Sequence, residues 1–129
     1  MTEAVLDSSA LLAALLREPG GDLVESLAGE AAICAVNFAE VVGYYARNGS
    51  DAAAVGALRD RLASAIVPFD EGLAFQTGLL EPRTRPAGLS LADRACLALA
   101  RRLGVRALTA DRQWADVAEA VGVEVQLIR

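Results

Sequence analysis

The sequence predicts an α/β domain in which helices cover both faces of a central, mostly parallel sheet, a three-layer sandwich. Three observations lead there. Five short apolar runs, within "EAVLD", "AICAV", "IVPF", "VRALTA" and "VEVQLI", have the length and apolar character of buried strands. Helix-length segments bounded by capping residues and glycines separate each run from the next. Strands separated by helices need crossover connections, and crossovers make neighbouring strands parallel. A chain of 129 residues with no repeat and no Gly/Ser- or Pro-rich linker suits one such domain, spanning 1–129.

The elements follow in order. "EAVLD" is the first strand, and the helix through "SALLAALLRE" stops at Pro19 and Gly20. "DLVESLAGE" is a second helix and leads into the strand "AICAV". Asn37 is placed as the N-cap of the helix "FAEVVGYYARNG", which Asn48 and Gly49 end. "DAAAVGALRDRLASA", with Asp51 near its start, is a helix before the strand "IVPF". "DEGLAFQTGLLE" reads as a helix, and "PRTRPAG", with two prolines, as a loop. Ser90 caps "LADRACLALARRLG", where Ala92, Ala95, Cys96, Leu99 and Leu103 share one face, Arg94, Arg101 and Arg102 take the other, and Gly104 is the stop. The strand "VRALTA", the helix "DRQWADVAEAVG" and the strand "VEVQLI" complete the order.

Composition removes whole classes of chemistry. Without histidine there is no Ser-His-Asp or Cys-His nucleophile and no His-containing zinc site. All twelve basic residues are arginine, so Schiff-base chemistry and a Walker-type phosphate lysine are excluded. Cys34 and Cys96 lie far apart, each in an apolar run, and are expected to be free core residues. A net charge of −5 argues against bulk attraction to nucleic acid, so a polyanionic substrate would need a local site. No uncharged stretch exceeds nine residues, and Glu3 and Asp7 stand where a signal peptide would be basic and then apolar. The expected location is cytoplasmic, with no membrane association.

Four acids occupy related positions. Asp7 and Asp111 each end an apolar strand where a helix begins, Glu40 follows Asn37 by three residues, and Asp93 follows Ser90 by three. Each alone reads as a helix cap or a capping-box acid, which satisfies orphan amides and suits the helix dipole. Together they describe more, because the carboxyl ends of parallel strands are where sites are built. Glu40 sits in a helix apolar on nearly every face and is expected to be buried, where a charge needs a partner. Two carboxylates about 5 Å apart repel by roughly 3 kcal/mol at an effective dielectric near 20, so a clustered set calls for a cation or a proton. Oxygen-only ligands favour Mg²⁺ or Mn²⁺, and carboxylates around a hydrated ion suit phosphodiester hydrolysis.

The segments "VLDSSALLAALL", "VNFAEV" and "GLSLADRACLALARRLGVRALTADRQW" give the chain a resemblance over nearly its whole length to PIN-domain nucleases, in particular the VapC-like toxins of bacterial toxin-antitoxin pairs. The run from Gly88 to Trp114 is its most specific part. The resemblance implies a PIN-like α/β sandwich, Mg²⁺- or Mn²⁺-dependent cleavage of RNA, and inhibition by a small cognate antitoxin. Carried over residue by residue, the family's acidic quartet falls on Asp7, Glu40, Asp93 and Asp111, and its small hydroxyl positions on Ser9 and Thr109. Asp116, further along the same segment as Asp111, is read as a surface acid.

Arg94 and Arg112 directly follow two of the acids and read either as surface ion pairs or as phosphate contacts; Arg83 and Arg85, in the proline-bounded segment, are candidate RNA contacts. Trp114, Tyr44 and Tyr45 are read as core or interface. An apolar-rich helical surface makes a homodimer the expected assembly. A phosphoaspartate enzyme would need a phosphate-holding lysine, and the dehalogenase pattern a second aspartate where Ser9 stands. The alternatives that remain are a PIN nuclease of RNA processing and an inactive PIN-like module that binds metal or protein.

Overall fold

The computed structural model describes residues 1–129. In chain order the elements are β1 (Ala4–Leu6), α1 (Ser8–Leu16), α2 (Gly21–Leu27), β2 (Ala31–Cys34), α3 (Ala35–Arg47), α4 (Ala52–Arg61), β3 (Ala65–Val67), α5 (Glu71–Leu79), α6 (Glu81–Thr84), α7 (Leu91–Leu103), β4 (Arg106–Thr109), α8 (Ala118–Val121) and β5 (Val125–Leu127). Short 3₁₀ turns occupy Ala28–Glu30, Arg85–Ala87 and Arg112–Asp116. The five strands are all parallel and lie in the order β3-β2-β1-β4-β5. The first strand of the chain is therefore the centre of the sheet, paired Leu6 to Ile33 on one side and Leu6 to Leu108 on the other.

Alternation along the strands divides the core into two layers. Val5, Cys34 and Ala107 face Leu73 of α5, Ala95 and Leu99 of α7, and Trp114. Ala4, Leu6, Ile33 and Leu108 face Ala10 and Leu11 of α1, Val24 of α2 and Val41 of α3. β1 and β2 are buried along their whole length, as strands covered on both faces must be. Cys34 and Cys96 are free and buried, as expected. No helix is long and apolar enough to cross a membrane.

Four expectations are corrected. α3 starts at Ala35, so Asn37 lies inside its first turn and is no cap; its Nδ2 instead donates to the Ala92 carbonyl of α7 at 3.0 Å. "PRTRPAG" forms α6 and a 3₁₀ turn, because Pro82 and Pro86 each fall in a first turn, where a missing N–H costs nothing. "DRQWADVAEAVG" begins as a 3₁₀ turn, whose three-residue repeat sends Trp114 and Val117 into the same core layer. Leu103, at the end of α7, is 41% exposed; the buried face of that helix is completed by Leu97, Ala98 and Ala100.

The turn between α1 and α2 is set by two glycines. Gly20 has φ +88°, and a Cβ on Gly21 would lie 2.3 Å from the carbonyl oxygen of Ala13. α2 can pack on α1 only with bare backbone here. Gly21→Ala is expected to destabilise the protein by about 1–3 kcal/mol, the usual cost of overpacking a rigid contact, measured by urea unfolding. An unchanged midpoint would show that the two helices separate freely.

Candidate active site at the carboxyl ends of β1 and β4

Asp7 stands where β1 hands over to α1, and its N–H donates to Leu108 O at 3.1 Å, the last rung between the two central strands. Its side chain is only 4% exposed. Oδ1 accepts from the hydroxyl of Ser9 at 2.7 Å and from Ala10 N–H at 2.8 Å, while Oδ2 accepts from the hydroxyl of Thr109 at 2.5 Å. A helix cap needs only the amide bond. The two hydroxyls make this a carboxylate fixed in one orientation.

The same hydroxyls tie the β4 turn in place. Ser9 Oγ accepts from Ala110 N–H at 2.9 Å, and Thr109 Oγ1 accepts from Asp111 N–H at 3.0 Å. Because both hydroxyl protons are spent on Asp7, the 3.4 Å approach of Ser9 Oγ to Thr109 Oγ1 is a contact between two acceptors rather than a bond. Burial pushes the Asp7 carboxyl up to about 6 against the pull of Thr109, Ser9 and Ala10, and the charge of Asp93 adds to the rise.

The other three acids are each held by a partner of their own. Asp111 is half-buried and caps the 3₁₀ turn, its Oδ1 accepting from Gln113 N–H at 2.9 Å. Asp93 forms a reciprocal capping box with Ser90, at 2.8 and 3.1 Å. Glu40 lies in the second turn of α3, and its Oε1 accepts from the hydroxyl of Ser8, next to Asp7, at 2.8 Å. Contrary to expectation Glu40 is exposed, because α3 buries only Asn37 and Val41. Cys96 is buried, and its thiol is driven well above its usual range by that burial first and then by nearby negative charge, Asp7 foremost. No three of these groups stand close enough to enclose a single ion between them.

Two participants escape a reading of the sequence. Ser8, beside the more conspicuous Ser9, carries the link to Glu40. Asn37 joins the Glu40 helix to the Asp93 helix, and nothing in its helical spacing announces this.

Of the arginines, Arg94 is half-buried, donates through Nη1 to Leu89 O at 3.1 Å and makes no carboxylate pair. Arg112 is exposed, likewise without an ion-pair partner. The ion-pair alternative for these two therefore fails. Arg85 is held by Glu81 at 2.6 Å, and Arg83 flanks a cleft of about 320 Å³ with Asp116 and Val117. Trp114 is fully buried, the core role expected of it, while Tyr44 and Tyr45 are half-buried and meet edge-to-face at 5.4 Å. None of the surface cavities is lined by the four acids.

The PIN domain model matches residues 4–120, which takes in β1, α3, α7 and β4 and all four candidate acids. The chain belongs to the PIN domain family. This PIN domain has no sequence match among curated proteins. Its fold recurs in DNA-bound VapBC from Salmonella typhimurium (14% identity, TM-score 0.73, 100% of both chains). It recurs in FitAcB from Neisseria gonorrhoeae (21% identity, TM-score 0.68, 97% of both chains). A third neighbour is VapC20 from Mycobacterium tuberculosis, a sarcin-ricin loop cleaving toxin (18% identity, TM-score 0.70, 88% of this chain and 94% of that one). The PIN fold thus accounts for the all-parallel sheet, in which the ends of β1 and β4 meet at Asp7.

Proposed function

We propose that this PIN domain is a metal-dependent endoribonuclease with Asp7, Glu40, Asp93 and Asp111 as its acidic site, acting as the toxin of a toxin-antitoxin pair. The observation that carries the reading is the buried Asp7 carboxylate, gripped by two hydroxyls and an amide and burdened by the charge of Asp93. A cap has no use for that arrangement.

The donor set fits Mg²⁺ or Mn²⁺, since every available ligand is a carboxylate oxygen and the thiol nearby is buried. Mg²⁺ keeps several of its waters and needs only one or two carboxylates, so a closed cage of three acids is not required. One or two of Asp7, Asp93, Glu40 and Asp111 would hold it directly, and the others would act through its waters. Bound there, the ion would supply polarisation of the phosphodiester and a more acidic water. The protein's own work is positional. Ser9 and Thr109 hold Asp7 in one orientation and favour its ionised form. Ser8 restrains Glu40 through Oε1 alone, leaving Oε2 able to accept a proton from water. Arg94 and Arg112, next in sequence to two of the acids and free of carboxylates, would meet the RNA backbone, with Arg83 and Arg85 as further candidate contacts.

The toxin assignment draws support from the VapBC and toxin-antitoxin complexes among the structural neighbours and from the likeness to the sarcin-ricin loop cleaving toxin. The antitoxin would place an arginine among the acids, bidentate, in competition with the metal. Phe75 and Leu79, 64% and 56% exposed one turn apart on α5, support a homodimer.

The purified protein should cut single-stranded RNA with Mg²⁺ or Mn²⁺ and stop when EDTA is in excess. Cleavage that survives EDTA rules out the metal. Glu40→Ala should lower the rate by about 10² or more, whereas Asp116→Ala should change it by about twofold at most, as surface substitutions do. Equal losses would place Asp116 inside the site.

A further inference from the structure

We infer that Asn37 is a positioning residue that clamps the helix carrying Glu40 to the helix carrying Asp93 and so sets the separation of acids on which divalent-metal binding depends. The inference rests on the metal-site reading above. Asn37 is fully buried, on the same stretch of α3 as Glu40 and three residues ahead of it. Its Nδ2 donates to the carbonyl of Ala92, the residue immediately before Asp93, at 3.0 Å. One side chain therefore connects the two helices within a turn of each acid. The amide orientation is fixed, because Oδ1 in place of Nδ2 would set two acceptors against each other.

The far side of the amide is what distinguishes a clamp from ordinary packing. Oδ1 of Asn37 is buried with no hydrogen-bond partner. Buried acceptors left unpaired are disfavoured, and asparagine is a poor residue inside a helix. An apolar residue here would avoid both costs and could still fill the space between α3 and α7. What it could not do is fix the sliding register of one helix on the other, which packing of small apolar side chains such as Ala92 leaves soft. Ser8 holds Glu40 from the α1 side, and the capping box holds Asp93 at its own helix. Beside the packing of α3 on α7, Asn37 supplies the side-chain hydrogen bond that ties those two held groups together, and their spacing matters most to an ion that must be met from both sides.

The test uses Mn²⁺ alone as the probe, titrated calorimetrically into metal-free parent, Asn37→Ala and Asn37→Asp. Asn37→Ala removes the donor and the orphan acceptor together; Asn37→Asp keeps the shape and turns the donor into an acceptor. Both should bind Mn²⁺ about tenfold more weakly, a typical effect for residues that orient ligands. Asn37→Ala should melt within a few degrees of the parent without metal. In RNA cleavage at saturating Mn²⁺, kcat should fall while KM stays unchanged. Should one variant fail to fold, the other carries the comparison. Mn²⁺ affinity equal to that of the parent in a folded variant overturns the clamp, as does an affinity loss matched by partial unfolding at the assay temperature. A parent that binds Mn²⁺ yet cuts no RNA removes the nuclease reading and leaves the clamp standing; a parent that binds no Mn²⁺ overturns both.

Discussion

Asp7→Asn is expected to abolish RNA cleavage and to raise the melting temperature of the metal-free protein. The two effects share a cause. In the folded state the Asp7 carboxyl is raised from 3.8 to about 6, so folding favours its protonated form. Stability from that preference is complete below about pH 4 and is lost as pH climbs through 6. By pH 7 the buried charge opposes folding by roughly 3 kcal/mol, worth several degrees in a domain of this size. Asparagine caps a helix about as well as aspartate and carries no charge, so the variant should keep α1 while escaping the penalty. Thr109 must then turn its hydroxyl, now facing an amide donor, which takes back part of the gain. Melting scans at pH 4 and 7 should show a drop for the parent and a flatter response for the variant. Mg²⁺ should stabilise the parent more, because a ligand stabilises only as far as it binds the native state. A variant that melts lower than the parent at pH 7 without metal, and still cuts RNA, would reduce Asp7 to a cap.

Thr109→Val should be the second most damaging change, with a pH signature of its own. Valine preserves the shape and deletes the hydroxyl that gives Asp7 its 2.5 Å bond and takes the N–H of Asp111. Thr109 is fully buried, so both groups lose a partner where solvent does not readily replace it; a loss of about 1–3 kcal/mol in stability is expected. Because the Thr109 bond is the strongest influence holding the Asp7 carboxyl down, its removal leaves burial less opposed and the carboxyl rises further. The acidic limb of the rate profile should therefore move to higher pH. Activity near pH 7 should drop about tenfold or more and recover partly in alkaline buffer. A profile displaced toward acid, or a loss independent of pH, would show that Thr109 acts on something other than Asp7.

The sheet was legible because its central strands are covered on both faces and so are written as unbroken apolar runs, "AVL" and "AAIC". The helix-start positions of Asp7, Asp93 and Asp111 were legible as well, since capping leaves a fixed spacing from the strand end or from Ser90. The burial of Glu40 was misjudged for a physical reason. A helix apolar on most faces reads as surrounded, yet α3 buries just two residues and leaves its apolar outer side half covered. The role of Asn37 was hidden for a related one. Asparagine before a helical run looks like a cap, and only the packing of α3 against α7 turns it into a cross-helix donor. Local pattern marks which residues can start a helix, while contacts between distant segments decide what their side chains finally hold.

The strand order has a consequence in time. β1 is made first and occupies the middle of the sheet, but Thr109, which holds Asp7, is added 102 residues later. At about 5–20 residues per second, translation separates the two by roughly 5–20 s. Once β2 has followed, the emerging chain has β1 and β2 to pair but still lacks one whole flank of the central strand, and contacts this distant are slow to close even afterwards. On the proposed function, the acidic site stays incomplete until β4 has been made, and an inhibitor already present has those seconds in which to meet the chain.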